Sequence, residues 1–117
     1  MNLETGFGWV RIGGTTYDHD IIIHADRAVT KRKKKASKGL KGEYGHTPLS
    51  EFELGFLEGE GTDRIYIGTG NSGALPLTPE ARRVLEGSHA VILPTPELLP
   101  LLEVEEKPFV AIIHVTC

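Results

Sequence analysis

The chain has 117 residues, of which 13 are basic and 16 are acidic, and its formal net charge is −3. Hydrophobic content of 39% and charged content of 25% are typical of a globular domain and exclude a disordered chain. This length suits one core, since two domains of half the size would each bury too little surface. We therefore expect residues 1–117 to form a single domain. The small net charge implies no global attraction to nucleic acid.

The basic residues are concentrated in one segment. Eight of the 13 lie between Arg27 and Lys41, in a window without acids, and the rest of the chain has a net charge of −11. This asymmetry predicts one basic patch on an acidic body. Residues 27–48 lack a hydrophobic period, which indicates a mobile basic loop. A solvated loop is the default interpretation, and binding of phosphates or an acidic partner is the alternative. The predicted patch consists of Lys31, Arg32, Lys33, Lys34 and Lys35.

The first residues and the cysteine content bear on location. Cys117 is the single cysteine, so no intramolecular disulfide is possible, which suits a reducing compartment. Residues 1–4 lack the basic and apolar regions of a signal peptide. No apolar run approaches the roughly 18 residues that span a bilayer. We therefore expect a cytoplasmic protein that makes no membrane contact.

The first half of the chain favours antiparallel β-structure. Phe7–Ile12 and Thr15–Tyr17, joined by two glycines, predict a β-hairpin. Three consecutive isoleucines at 21–23 predict a strand that is buried on both faces. Ala28–Thr30 predicts a further short strand after a turn. This half should therefore supply both a hairpin and part of a central sheet.

The second half reads as alternating strands and helices. Continuous apolar runs predict strands at Arg64–Ile67, Ala90–Leu93 and Phe109–Val115, and such runs are typical of a sheet covered on both faces. Thr78 followed by Pro79 predicts a helix start. Thr95 followed by Pro96 predicts a second one. The pattern indicates β-α-β-α-β.

Three further features concern helices. Ser50 and Glu53 fit a capping box for a short helix that ends at Gly59 to Gly61. The first crossover helix should end near Gly87. Pro100 lies inside the second crossover helix, where it removes one hydrogen bond and predicts a kinked, frayed or split helix.

Four segments resemble those of a known family. They are Tyr17–Ile21, Ile67–Gly70, Leu93–Glu97 and Ile113–Cys117, and they follow the same order over nearly the whole chain. The family includes the adipogenesis-associated domain protein and the mitochondrial complex I assembly factor 3. The lysine-rich insert and Pro100 depart from its pattern.

The resemblance implies an α/β fold of three layers. Its central mixed sheet has one antiparallel strand, helices lie on the faces of the sheet, and the N-terminal β-hairpin packs alongside. It implies no established catalytic activity. The mitochondrial member assists assembly of a respiratory complex, so the resemblance makes a protein-binding role the first expectation for this chain.

The segment Gly68–Gly73 matches the G-x-G-x-x-G pattern after a strand. If the strands at Ile65 and Val91 are parallel, this loop and Thr95 meet at the same edge of the sheet, where ligands bind in open α/β folds. A dinucleotide site is disfavoured because the helix starts only at Pro79 and no acid follows about 20 residues on. The alternative is a tight turn with positive φ and close packing. The predicted site for an anion or small ligand consists of Gly68, Thr69, Gly70, Asn71, Ser72, Gly73 and Thr95.

Other polar groups have simpler interpretations. His114 and Cys117 are three apart in a strand and point to opposite faces, so a hydrogen-bonded histidine and a small terminal thiol are favoured over a metal or nucleophile site. Asp18 and Asp20 share one face, with His19 opposite, and could serve acid–base work or bind a cation. Capping and turn formation explain them more simply. We assign no catalytic residue, metal ligand or cofactor.

The first functional hypothesis is a non-enzymatic domain that binds a protein partner, still unidentified, as an assembly or accessory factor. We also expect self-association as a homodimer, since small domains with apolar sheets often pair. The alternative is an anion or nucleotide-like ligand at Gly68–Gly73, with a so far unrecognised enzyme activity. Nucleic-acid binding through the lysine run is the least favoured, because no aromatic residue interrupts it for base stacking.

Overall fold

A computed structural model describes residues 2–117. Three strands form an antiparallel sheet in the order β1-β2-β3, and five form a mixed sheet in the order β5-β4-β8-β6-β7. The strands are β1 (Leu3–Gly6), β2 (Trp9–Ile12), β3 (Thr15–Tyr17), β4 (Ile21–Ile23), β5 (Val29–Lys31), β6 (Ile65–Thr69), β7 (Val91–Leu93) and β8 (Val110–His114). The α-helices are α1 (Lys41–Tyr44), α2 (Pro79–Gly87) and α3 (Thr95–Glu103), and 3-10 helices span Lys35–Leu40, Glu51–Glu53 and Gly55–Glu60.

One strand of the five-stranded sheet runs against the other four. β4 pairs antiparallel with both β5 and β8, while β8, β6 and β7 are parallel neighbours. The parallel strands need crossovers, which α2 and α3 supply. The predicted α/β fold with a central mixed sheet and one antiparallel strand is therefore confirmed.

Each face of this sheet is covered. In β8, Ala111 and Ile113 face one core with Leu98 and Leu102 of α3, while Ile112 faces the opposite core with α2. This alternation follows the period of two in a strand. The three-stranded sheet joins the first core, where its Val10 is fully buried. The result is the predicted layered arrangement, with helices on both faces and the N-terminal β-structure packed alongside.

Several local predictions need correction. The N-terminal hairpin is a three-stranded sheet, because Leu3–Gly6 pairs with Trp9–Ile12. The strand at Ile21–Ile23 is confirmed, and the three later strands are confirmed with ends shifted by one or two residues. The helix at Pro79 starts as predicted, since the Thr78 side chain accepts from the Ala81 N–H.

The other helix predictions fail in part. Ser50 makes no side-chain cap, and its segment forms 3-10 turns. Thr95 lies inside α3, whose N-cap is Pro94. α3 is continuous through Pro100, and buried leucines on both sides of the proline anchor it: Leu98, Leu99 and Leu102. Their burial offsets the missing hydrogen bond, so the helix does not split.

The basic segment 27–48 is not a loop throughout. It contains β5, the 3-10 helix Lys35–Leu40 and α1. Arg32 is only 2% exposed, so it does not belong to a solvated patch. The prediction of a mobile loop relied on the missing hydrophobic period. The segment is instead anchored by the buried ion pairs of Arg32, which a search for hydrophobic periodicity does not detect.

No helix among residues 2–117 is long and apolar enough to cross a membrane.

Candidate functional site

The candidate site lies where the parallel strands end. Because β5, β8, β6 and β7 point the same way, their carboxyl ends share one edge of the sheet, together with the start of β4. Asp20 precedes β4, Arg32 follows β5 and His114 ends β8. Ligands of open α/β sheets bind at this edge. The fold therefore gathers charged side chains from distant parts of the sequence at the expected place.

Arg32 is the centre of a buried ion-pair network. Its Nε and one terminal nitrogen donate to the two carboxylate oxygens of Glu53, each at 2.8 Å. Its other terminal nitrogen donates to Asp20 Oδ2 at 2.8 Å. A further bond of 3.0 Å reaches the carbonyl oxygen of Pro48. This bidentate geometry is specific to arginine. A lysine could not hold both carboxylates in the same way.

Asp20 joins the network to the last strand. Its Oδ1 accepts from the Val115 N–H at 2.9 Å, and its Oδ2 accepts from His114 Nδ1 at 2.7 Å. Lys34 Nζ lies 3.5 Å from the same oxygen. These contacts are long-range, so the predicted explanation of Asp20 by local capping or turn formation was wrong.

Two serines complete the network on the Glu53 side. Ser37 Oγ donates to Glu53 Oε2 at 2.5 Å and lies 2.6 Å from Ser50 Oγ. Because the Ser37 proton goes to the carboxylate, Ser50 must donate to Ser37. Ser50 and Glu53 thus serve the network and not the predicted capping box.

The network shifts the ionisation of its two central groups. Burial alone would raise the pKa of Asp20, but the hydrogen bond and charge of His114, the Val115 N–H and Arg32 hold this pKa well below its usual range. Burial alone would lower the pKa of Arg32, but the carboxylates of Glu53 and Asp20 raise it. Both groups are therefore charged at neutral pH.

A cleft of about 850 Å³ lies over this network. Five lysines line it, and among residues 2–117 its other charged lining groups are Asp18, Asp20 and Arg32. Asp20 and Arg32 are paired to each other, so the free charge of the cleft is positive. We call it the lysine cleft. Its lysines are Lys31, Lys33, Lys34, Lys35 and Lys38, and its remaining lining residues are His19, Thr30, Thr47, Val115 and Thr116.

The glycine loop lies at the same edge of the sheet, beyond β6. The Gly70 N–H donates to Thr95 Oγ1 at 3.0 Å, and Thr95 Oγ1 donates to the carbonyl oxygen of His114 at 2.8 Å. Thr95 N–H in turn donates to the Gly70 carbonyl oxygen at 2.9 Å. The predicted convergence of the loop and Thr95 is thus real, and β6 and β7 are parallel as that expectation required.

The loop N–H groups are mostly used by the protein itself. Asn71 N–H donates to the Thr116 carbonyl oxygen at 3.0 Å, Gly73 N–H to Gly70 at 3.2 Å and Ala74 N–H to Cys117 at 3.1 Å. Gly70 has φ 104° and Gly73 has φ 74°. These features agree with the tight, closely packed turn that was the alternative interpretation. The predicted anion contacts of Gly68, Thr69, Gly70, Asn71, Ser72, Gly73 and Thr95 stay a prediction.

The histidine and the cysteine near the end of the chain make different contacts. His114 is a hydrogen-bonded strand histidine, as interpreted, and its Nε2 lies 3.2 Å from Thr116 Oγ1. Cys117 Sγ lies 3.9 Å from His46 Nδ1. No group of three or more metal-ligating side chains was found among residues 2–117.

Sequence reasoning missed the partners of Arg32. Asp20, Ser37 and Glu53 are 12, 5 and 21 positions away, and no local spacing connects them. One signal was present: Arg32 is the single arginine within the lysine run, and arginine is the residue preferred for buried carboxylate pairs.

The fold and the cleft define a small α/β protein with a cationic cleft at the carboxyl edge of its sheet. The chain is 37% identical to the protein described as conserved hypothetical protein PH1505 from Pyrococcus horikoshii OT3, with a TM-score of 0.83 and 100% of both chains covered. It therefore belongs to the same family as PH1505. A second solved structure, described as MT938, is 35% identical over 97% of this chain and 96% of the other, with a TM-score of 0.78. Comparisons with family models and with curated proteins gave no match.

Proposed function

We propose that this protein is a non-enzymatic binding domain whose lysine cleft takes an acidic segment of a partner protein. The observation that carries the proposal is the convergence of five lysines on one cleft above the buried Arg32 network. The network fixes the backbone at Arg32, so the flanking lysines converge without a binding partner. Such preorganisation reduces the entropy lost on binding.

The charge distribution favours an acidic polypeptide over a nucleic acid. Outside residues 27–41 the chain carries a net charge of −11, which repels a long polyanion but tolerates a short acidic segment. The lining residues of the lysine cleft include no Phe, Tyr or Trp on which bases could stack.

The sequence resemblance supports the same role. The family that includes the complex I assembly factor 3 has a member that assists assembly of a protein complex, and assembly factors work by binding other proteins. We propose that this chain shares that descent and that mode of action, as an assembly or accessory factor.

The test measures binding of a fluorescein-labelled hexaglutamate peptide by fluorescence anisotropy. We expect binding at low ionic strength that weakens steeply with added salt. The double charge reversal Lys33→Glu with Lys38→Glu should weaken it at least tenfold, because both lysines line the cleft and are exposed. The matched control is Arg82→Glu with Lys107→Glu, which changes the net charge equally at exposed positions outside the cleft.

Two outcomes would overturn the proposal. One is equal loss of peptide binding in the cleft variant and in the control variant, which would indicate a response to net charge alone. The other is tighter binding of a single-stranded oligonucleotide with the same number of charges, which would favour nucleic acid.

Self-association is a separate part of the proposal. The strands β5 and β7 are the two edges of the five-stranded sheet, and such edges can pair with a second copy. Sedimentation velocity should show a dimer at micromolar concentration. A single monomeric species throughout that range would contradict this part and leave the cleft unaffected.

A further inference from the structure

A second cavity lies beside the lysine cleft and has a different character. Its volume is about 680 Å³, within the roughly 300–1,000 Å³ typical of small-molecule sites. Ile22 and Ile112 contribute from the adjacent strands β4 and β8. Phe52 and Phe56 contribute from the 3-10 helices Glu51–Glu53 and Gly55–Glu60. We call this the phenylalanine pocket. Its two phenylalanines and two isoleucines set it apart from the neighbouring lysine cleft, whose lining among residues 2–117 includes neither residue type.

Phe52 is the side chain of the pocket whose exposure is least expected for its residue type. It is 66% exposed, although burial of a phenylalanine side chain away from water is favourable. Phe56 is better supported, since its ring meets the His24 ring edge-on at 5.9 Å between centroids. His24 is itself tied to Glu60 at 3.1 Å and to Thr30 at 2.7 Å. The pocket thus has one fixed aromatic wall and one aromatic side chain open to solvent.

The rim of the pocket is positively charged. Lys31, Lys33 and Lys35 line the phenylalanine pocket as well as the lysine cleft. The lining carboxylate, Glu53, accepts from Nε and one terminal nitrogen of Arg32, each at 2.8 Å, so its charge is compensated. An anionic group at the rim would therefore meet lysines and no free carboxylate of the lining.

We propose that the phenylalanine pocket binds a small ligand with an apolar body and one anionic head, of the class of medium-chain carboxylates. The body lies over Ile22, Ile112 and the two phenylalanines, and the carboxylate reaches the rim lysines. Charge complementarity favours this ligand class. A neutral apolar molecule would make no ion pair with the rim lysines, and an inorganic anion would not cover the apolar side chains of the lining. The phenylalanine pocket shares Lys31, Lys33 and Lys35 with the lysine cleft, but the proposal does not rest on binding of the acidic partner.

The first test uses a homologous series of carboxylates. Hexanoate, octanoate and decanoate should displace the fluorescent probe 8-anilinonaphthalene-1-sulfonate with affinities that rise up to about fourfold per added methylene. Decanol, which has the same body without the charge, should bind at least tenfold more weakly than decanoate. Equal binding of decanol and decanoate would overturn the role of the lysines.

The second test uses matched variants. Phe52→Ala should weaken decanoate binding at least tenfold, whereas Phe7→Ala should not change it, since Phe7 is 67% exposed and does not line the pocket. The triple change of Lys31, Lys33 and Lys35 to glutamine should remove the preference for decanoate over decanol. Both aromatic side chains are exposed, so both alanine variants should fold, which circular dichroism checks.

The outcomes separate the two proposals. Phe52→Ala should leave hexaglutamate binding unchanged, because Phe52 does not line the lysine cleft. Loss of decanoate binding with retained peptide binding supports the phenylalanine pocket. Equal decanoate affinity in the wild type, Phe52→Ala and Phe7→Ala overturns it, whatever the peptide result.

Discussion

Two halves of one sheet edge behave differently in this protein. Beyond β6 and β7, the glycine loop and Thr95 form a neutral, closed contact in which N–H groups donate to protein oxygens. Beyond β5 and β8, and before β4, paired charges lie buried under an open lysine cleft. A glycine-rich pattern indicates a close approach of backbone segments. It does not by itself indicate a ligand site, because ligand binding at such a loop also requires N–H donors that the protein leaves free.

His114 connects the two halves. Its carbonyl oxygen accepts from Thr95 on the closed side, while its ring donates to Asp20 on the charged side. A change on either side can therefore reach the other through one residue. The stability of each half can be tested by single substitutions, and the expected effects differ in size.

The largest effect is expected for Arg32→Met. The variant keeps much of the side-chain volume but removes the buried guanidinium group that Asp20 and Glu53 share. Removing one partner of a buried pair typically costs about 3–5 kcal/mol of stability. Urea denaturation monitored by circular dichroism measures this loss. Lys33→Met, at the neighbouring exposed position, should change the free energy of unfolding by no more than about 0.5 kcal/mol. A similar effect of both variants would mean that the network does not anchor the segment.

Gly70→Ala should cost about 2–5 kcal/mol of stability. A Cβ at Gly70 would collide with the Thr116 carbonyl oxygen and lie 2.8 Å from the His114 ring. The φ of 104° adds strain of about 1–2 kcal/mol for an L-residue, and overpacking adds about 1–3 kcal/mol. Thermal and urea unfolding check the prediction. At Gly87 the same substitution meets no atom within 4 Å, and a comparable loss there would contradict close packing as the cause.

Thr95→Val should cost about 1–3 kcal/mol, since the buried Gly70 N–H and His114 carbonyl lose a shared partner. Valine keeps the shape and removes only the hydroxyl. Urea denaturation compares it with Thr95→Ser, which keeps the hydroxyl and should retain more stability. A valine variant that is more stable than the serine variant would show that packing, and not hydrogen bonding, closes this half.

The sequence predicts the closed half better than the charged half, for a physical reason. The strands before Gly70 and Thr95 are apolar runs, and the positions of the loop and the helix start follow from them. The charged half depends on Asp20, Arg32 and Glu53. The register of β4 and β5 brings Asp20 to Arg32, and the segment after Pro48 brings Glu53 to the same arginine. Composition located the basic segment, but only the fold shows that its arginine is buried and its lysines are not.

The smallest effect concerns pH and isolates Asp20. Its folded-state pKa lies below the usual range, so the unfolded chain binds a proton more readily than the folded protein. Asp20 therefore contributes stability that is present above the unfolded pKa of about 3.9 and is lost as the pH falls below it. The difference in free energy of unfolding between wild type and Asp20→Asn should shrink by about 1 kcal/mol from pH 5 to pH 3.

Taking the difference between two proteins removes the titration of the other carboxylates, which both share. Urea denaturation at each pH gives the two curves. Asp18→Asn removes an exposed carboxylate two positions away and should keep the wild-type stability at pH 7. Wild-type and Asp20→Asn curves that stay parallel from pH 5 to pH 3 would show that the folded protein does not favour the ionised form of Asp20. The contacts of Asp20 with Arg32 and His114 would then contribute no charge interaction to the stability of the charged half.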